Sequence, residues 1–279
     1  MSSTDTAVRR GGIGSLLASE LALLFRRRRT WALLAALAAL PILLAVAVRL
    51  SGEDTDGPSF VGAIGGNGLF TGLAAITVAV PLFLPLTVGV VAGDAIAGEA
   101  SLGTLRYLLV SPAGRVRLLA VKFIACVAFC LAAALTVMVV GVLIGLALFP
   151  VGPVTLLSGT TVPLTDAIGR ALAIAVYAAL SLVGLAAVGL FISTLTDMPV
   201  GAMAATVVIS IAAQIVGSLS QLRVLHPFLL TDHWFDFADL LRDPIAWGSF
   251  GENALLQLAY VAVFGSLAVG RFTTRDVLS

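Results

Sequence analysis

GDAIAGEASLGTLRYLLVSPAGRVRLLAVK, residues 93–122, is a polar-containing stretch set between two long apolar runs. It holds Asp94, Glu99, Arg106, Arg115, Arg117 and Lys122, the only lysine in the chain. Ser101 is placed to cap a short helix, its hydroxyl accepting an otherwise orphaned backbone N–H. Leu102, Leu105, Leu108 and Leu109 then recur at helical spacing on one face. Ser111-Pro112-Ala113-Gly114 ends that helix, because proline cannot continue it and disfavours helical geometry in the residue before it. The stretch reads as the end of one membrane span, a short amphipathic helix along the membrane face, a tight turn, and a new span. An ordinary connecting loop is the competing reading.

Composition sets the class. The 279 residues are 59% hydrophobic and 11% charged, with mean hydropathy +1.10. Soluble domains carry about 25% charged residues. A polytopic membrane protein accounts for the difference, since a spanning helix needs roughly 20 apolar residues in a row. The net charge of +1 and the lack of a basic stripe with interleaved aromatics give no sign of a nucleic-acid partner. Cys126 and Cys130 fall inside one apolar run, so no disulfide framework is expected.

Outward from the central stretch, the spans fall into place. Residues 1–12 are polar. Ile13, Leu16, Leu17, Leu21 and Leu24 keep helical period, with Ser15, Ser19 and Glu20 on the other side, as in an interfacial amphipathic helix. A signal peptide fits poorly, because the apolar run after Arg26–Arg29 is too long and lacks a small-residue cleavage site. Trp31–Val48 is the first span, and its four preceding arginines bias that end to the cytoplasm. They could also hold anionic lipid head groups. Leu69–Val91 is the second span, with Pro81 and Pro85 expected to kink it. The third run, Leu118–Phe149, exceeds a bilayer's need, so Lys122 is expected at the interface and partly solvated. Gly141 and Gly145 form a GxxxG pair that permits close helix approach.

Ile168–Leu195, Val200–Leu219 and Ala254–Val269 complete six spans, and Thr196–Pro199 is a cytoplasmic turn. Between spans five and six, Trp234, Phe237 and Leu241 make an apolar stripe on a short outer helix ended by Asp243-Pro244. Its aromatic rings suit the head-group level. The domain reading is a tail with interfacial helix (1–30), one six-span unit (31–270) and a second tail (271–279). This topology puts 12 of the 16 basic residues inside, which agrees with the positive-inside rule and places both termini in the cytoplasm.

No nucleotide-binding loop, nucleophile elbow or zinc-protease helix is present. His226 and His233 flank a loop turn and read as solvated rather than as ligands. Cys126 and Cys130 read as small packing residues. The spans hold almost no ionisable residue, which argues against an ion-coupled carrier.

The central stretch also carries a resemblance. Asp94 and Glu99, then Gly103-Thr104-Leu105, Leu108-Leu109, Ser111-Pro112, Arg115 and Lys122 occur in the order and spacing of the ABC-2 export permease signature. The resemblance implies the transmembrane subunit of an ATP-driven exporter: all-α, six spans, a cytoplasmic coupling helix between spans two and three, and an outer helical element between spans five and six. It implies two permease chains, as a homodimer or related heterodimer, and two separate ATP-binding subunits that hold ATP and Mg. This chain itself would bind no cofactor and catalyse no reaction. The ATPase-coupling residues would be Asp94, Glu99, Ser101, Leu102, Gly103, Thr104, Leu105, Arg106, Leu108, Leu109, Pro112, Arg115 and Lys122. Leu102–Leu109 would be the coupling helix, held by Asp94 and Glu99 through contacts with Arg106, Arg115 or Lys122. Glu99 would gain from lying near a helix N-terminus. The smooth apolar spans suit a lipid-like or drug-like cargo. A membrane scaffold or sensor subunit, or a membrane-embedded enzyme, is the alternative.

Overall fold

The helix α1, Ile13–Arg26, is the amphipathic element expected at the start of the chain, and α2, Arg28–Ser51, is the first span. The corner between them closes on α1's own last carbonyls. The Thr30 hydroxyl donates to Leu24 O at 2.6 Å, and the Trp31 indole N–H donates to Phe25 O at 2.7 Å. These are acceptors that a helix end leaves unpaired. The computed structural model describes residues 13–51, 67–103 and 114–274. The body of the expected coupling helix, the Ser111-Pro112 turn and the acidic loop around Glu53 lie outside the described residues.

The second span is continuous from α3, Leu69–Val78, through a π-helical turn, Ala79–Phe83, into α4, Leu84–Ser101. Pro81 sits in the π turn. Its missing N–H and its ring would disrupt a regular ladder, and one extra residue per turn absorbs the conflict. Gln214 donates to Pro81 O at 2.7 Å, tying the turn to the fifth span. The third span, α5, Arg115–Leu148, has 34 residues. At 1.5 Å per residue it is about 50 Å long, well beyond the roughly 30 Å hydrocarbon core.

The fourth span differs from the single helix expected. It is α6, Leu164–Ser181, then a break at Leu182, then α7, Val183–Leu195. The freed Gly184 N–H donates to Gln257 Oε1 at 2.9 Å, so a side chain of the last span fills the gap in the ladder. The run around Leu182 is apolar throughout, and periodicity gives no sign of the break. α8, Pro199–Ser218, is the fifth span and α9, Gly248–Thr274, the sixth. Among the described residues, six helical spans are thus long and apolar enough to cross a membrane. The α3–α4 and α6–α7 spans form the core, with 61% and 72% of their apolar windows buried, against 17% for α8 and α9.

Small residues set the closest crossings. Gly141 and Gly145 of α5 meet Gly72 and Gly68 at the start of α3. A methyl group built on Gly141 would lie 2.6 Å from the Gly72 Cα, and one on Gly145 would overlap the Gly68 carbonyl. The GxxxG pair is therefore a true crossing, and its partner is a second GxxxG pair.

At the end opposite α1, a cap folds back on the spans. Strands β1, Val154–Thr155, and β2, Thr161–Val162, pair antiparallel, an element that sequence reading did not resolve. Arg170 donates to Leu240 O at 2.6 Å and Arg242 O at 2.8 Å. The apolar stripe lies in a 3-10 helix, Asp236–Leu241, and the turn before it. Trp234 and Phe237 are buried and Leu241 is half-buried. The stripe packs against the spans: Trp234 fills the break in the fourth span, its indole N–H donating to Ser181 O at 3.0 Å. Trp234→Phe should lower stability by about 1–3 kcal/mol, because it leaves a buried carbonyl without its donor. Thermal unfolding of the purified chain checks this, and an unchanged midpoint would show a freely moving cap.

Candidate functional site

The long helix through Asp94 and Glu99 fixes the site. α4 does not end before Asp94, as the span reading had it, but runs on to Ser101. Asp94 and Glu99 therefore project from the end of a span. Glu99 lies in the last turn of α4, where the carbonyl end of the helix disfavours a negative charge. The expected N-terminal benefit is corrected, and a cation has to compensate. Lys122 does so: its ammonium bonds Glu99 Oε1 and reaches Glu20 Oε2 of α1 at 3.1 Å. Lys122 is only 5% exposed, because α1 lies across α5 at this point. It is not the solvated interfacial lysine expected. One cation and two carboxylates from α1, α4 and α5 form a buried cluster, and such a cluster persists only while its charges stay paired.

Asp94 makes a second knot. Its Oδ2 accepts from Arg27 Nη1 at 3.3 Å, and Arg29 Nη1 lies 3.2 Å away. Asp94 thus pairs with arginines beside the first span, while Glu99 takes Lys122, one of the expected cations; Arg106 lies outside the described residues. α1, the foot of α2, the end of α4 and the start of α5 are thereby linked.

Close behind Asp94, Ser193 of α7 reaches into α4. Its hydroxyl donates to Gly93 O at 2.7 Å and accepts the N–H groups of Ile96 and Ala97 at 2.9 and 2.8 Å. Gly93 lets α8 pass close by, since a methyl there would lie 2.6 Å from the Met203 nitrogen. Arg115, at the first turn of α5, donates to Thr273 O at 2.9 Å and to Phe272 O at 3.4 Å. It thus supplies donors to terminal carbonyls of α9, where a cation is favoured.

Two glycines border the segment 104–113. Gly103 has φ +69° and Gly114 φ +76°, both in the left-handed region that other residues adopt only at a cost. Gly103 follows Leu102 at the end of α4, and its N–H donates to Ala100 O at 3.0 Å. Ser101 consequently belongs to the preceding helix, and its hydroxyl donates to Gly98 O at 2.8 Å; the turn it was expected to cap lies outside the described residues. Leu102 is an apolar side chain that is 76% exposed. Thr104, Leu105, Arg106, Leu108, Leu109 and Pro112 lie outside the described residues.

Sequence reading found Asp94, Glu99, Arg115 and Lys122 but missed Glu20, Arg27, Arg29 and Ser193 as their partners. Glu20 and the arginines were visible as charges at the start of the first span. Ser193 carries no signal in an apolar span. Away from this end, His233 Nδ1 lies 2.7 Å from Asp236 Oδ2, and Asp232 is close by. Partial burial raises the Asp232 carboxyl above its ordinary range, and the adjacent His233 opposes that shift. Cys126 and Cys130 are buried among core side chains.

Comparison with curated proteins returns no match. A family model described as ABC-2 family transporter protein matches residues 15–277. That match runs from the first turn of α1 past the end of α9 and takes in the whole ion-paired base. The chain belongs to the ABC-2 transporter family and is a transport permease that works with an ATP-binding subunit.

Proposed function

We propose that this permease drives export across the cytoplasmic membrane, as one of two permease chains coupled to two ATP-binding subunits that hold ATP and Mg. The ATPase docks on Leu102–Leu109, and both termini face the cytoplasm. The observation that carries the reading is the paired base around Lys122 and Asp94, which joins four elements next to that segment. A docked subunit that moved the segment would act on α4 and α5 together, because Glu99 and Lys122 bind them to each other. The arginine bias supports the orientation.

Mechanically, ATP-driven closure of the partner pair shifts the spans only by its differential affinity for their two arrangements. Reversing a gate from 1:99 to 99:1 takes about 5.5 kcal/mol, within the reach of two nucleotide sites. A coupling element held by buried ion pairs transmits such a force without first yielding. The apolar spans favour a lipid-like or amphipathic cargo. The test is ATP hydrolysis by the complex in vesicles against a panel of such compounds. Several-fold stimulation by a subset, with loss of that compound from the donor side, is expected. A stable complex whose hydrolysis no compound alters, and which moves none, would favour a scaffold or sensor role instead.

A further inference from the structure

We infer that a cleft between α1, the foot of α2 and the end of α4 binds one anionic phospholipid. The inference requires only that the chain spans a membrane, not that it exports. One wall of the cleft is apolar, made by Leu23, Leu24, Leu33, Val90 and Val91. Its mouth is cationic, made by Arg27 and Arg29. Lys122 and Glu20 also border the cleft, and Lys122 is engaged by two carboxylates, Glu20 and Glu99.

The charge balance at the mouth is uneven. Arg27 and Arg29 share a single carboxylate oxygen, Asp94 Oδ2, so two cations face one anion. The second amino group of Arg29 points at the Met203 sulfur at 3.0 Å, and a thioether is a weak acceptor. A phosphate oxygen is a far better one, and arginine pairs with phosphate through charge-assisted bonds. Arg26 and Arg28 are exposed beside the mouth and add to the positive field.

Depth fits as well. Trp31, next in sequence to the cleft's Thr30, is 61% exposed, and its ring nitrogen is anchored on Phe25 O. Exposed tryptophan marks the head-group level. A ligand here must therefore carry an anionic group at the mouth and hydrocarbon against the wall, which is the chemistry of an anionic phospholipid. A choline or ethanolamine head would bring a further cation beside Arg27 and Arg29.

The test uses the full chain, purified in detergent and stripped of lipid, with native mass spectrometry and thermal unfolding as readouts. Phosphatidylglycerol should bind about tenfold or more tighter than phosphatidylcholine. R27Q/R29Q should erase that preference, while R26Q/R28Q, which lies outside the cleft, should keep most of it. L33W fills the apolar wall and leaves every cation in place; it should weaken phosphatidylglycerol binding comparably, and it carries the test if R27Q/R29Q does not fold. Equal binding of phosphatidylcholine overturns the inference. So does an equal loss in R26Q/R28Q, which would indicate a diffuse basic patch. Competition by glycerol phosphate at matched concentration would indicate an anion site with no lipid in it.

Discussion

Lys122→Met is expected to destabilise the permease by about 3–5 kcal/mol, the cost of breaking a buried ion pair and stranding its partners. Glu20 and Glu99 would then face each other with side chains only 15% and 13% exposed and no cation between them. One carboxylate would have to take up a proton, and α1 would lose its tie to the bundle. The triple variant Glu20→Gln, Glu99→Gln, Lys122→Met should recover much of the loss, since replacing a whole buried ionic set with uncharged groups is often neutral. Thermal unfolding in detergent separates these outcomes. A loss below about 1 kcal/mol in the single variant would return Lys122 to the solvated position that sequence suggests.

The second large effect is expected at the glycine crossing. Gly145→Leu places side-chain atoms where the Gly68 carbonyl stands, and a backbone atom cannot rotate away as a side chain can. Overpacked cores cost about 1–3 kcal/mol when neighbouring side chains can adjust. Here the two helices must part, which also opens the Gly72–Gly141 contact, so the loss should exceed that range. Gly169→Leu is the matched control, because nothing lies within 4 Å of a methyl built there. The yield of monodisperse protein should fall sharply for Gly145→Leu and stay unchanged for Gly169→Leu. Equal yields would mean that α3 and α5 do not cross this closely.

These residues show where sequence is legible and where it stops. The six spans and the amphipathic α1 follow from hydropathy and period, and both signals are local. The Gly141–Gly145 pair was visible, but in a chain with 28 glycines its spacing does not identify Gly68 and Gly72 as its partners. Lys122 sits in an apolar helix whose period does not say which face another helix covers; only α1 lying across it makes the site buried. Asp94 and Arg27 are 67 residues apart, and no local pattern chooses that partner over Arg115. The break at Leu182 is hidden for a similar reason. Its exposed backbone is satisfied by Gln257 from another span, and the outer tryptophan that fills it comes from a third segment.

The central claim is that an ATP-binding subunit docks on the segment following Glu99. It is tested most directly by co-purifying that subunit with a Leu105→Asp permease. If the apolar face of Leu102–Leu109 fills a groove on the ATPase, this change puts an unpaired carboxylate into an apolar contact, a cost large enough to empty a site of ordinary affinity. Leu157→Asp is the control of equal polarity, on a leucine 65% exposed in the outer hairpin at the opposite end of the spans. Leu105→Asp should leave the permease inserted in the membrane yet recover almost no ATPase, while Leu157→Asp recovers the normal amount. A normal amount of ATPase with Leu105→Asp would place the docking surface elsewhere and contradict the account.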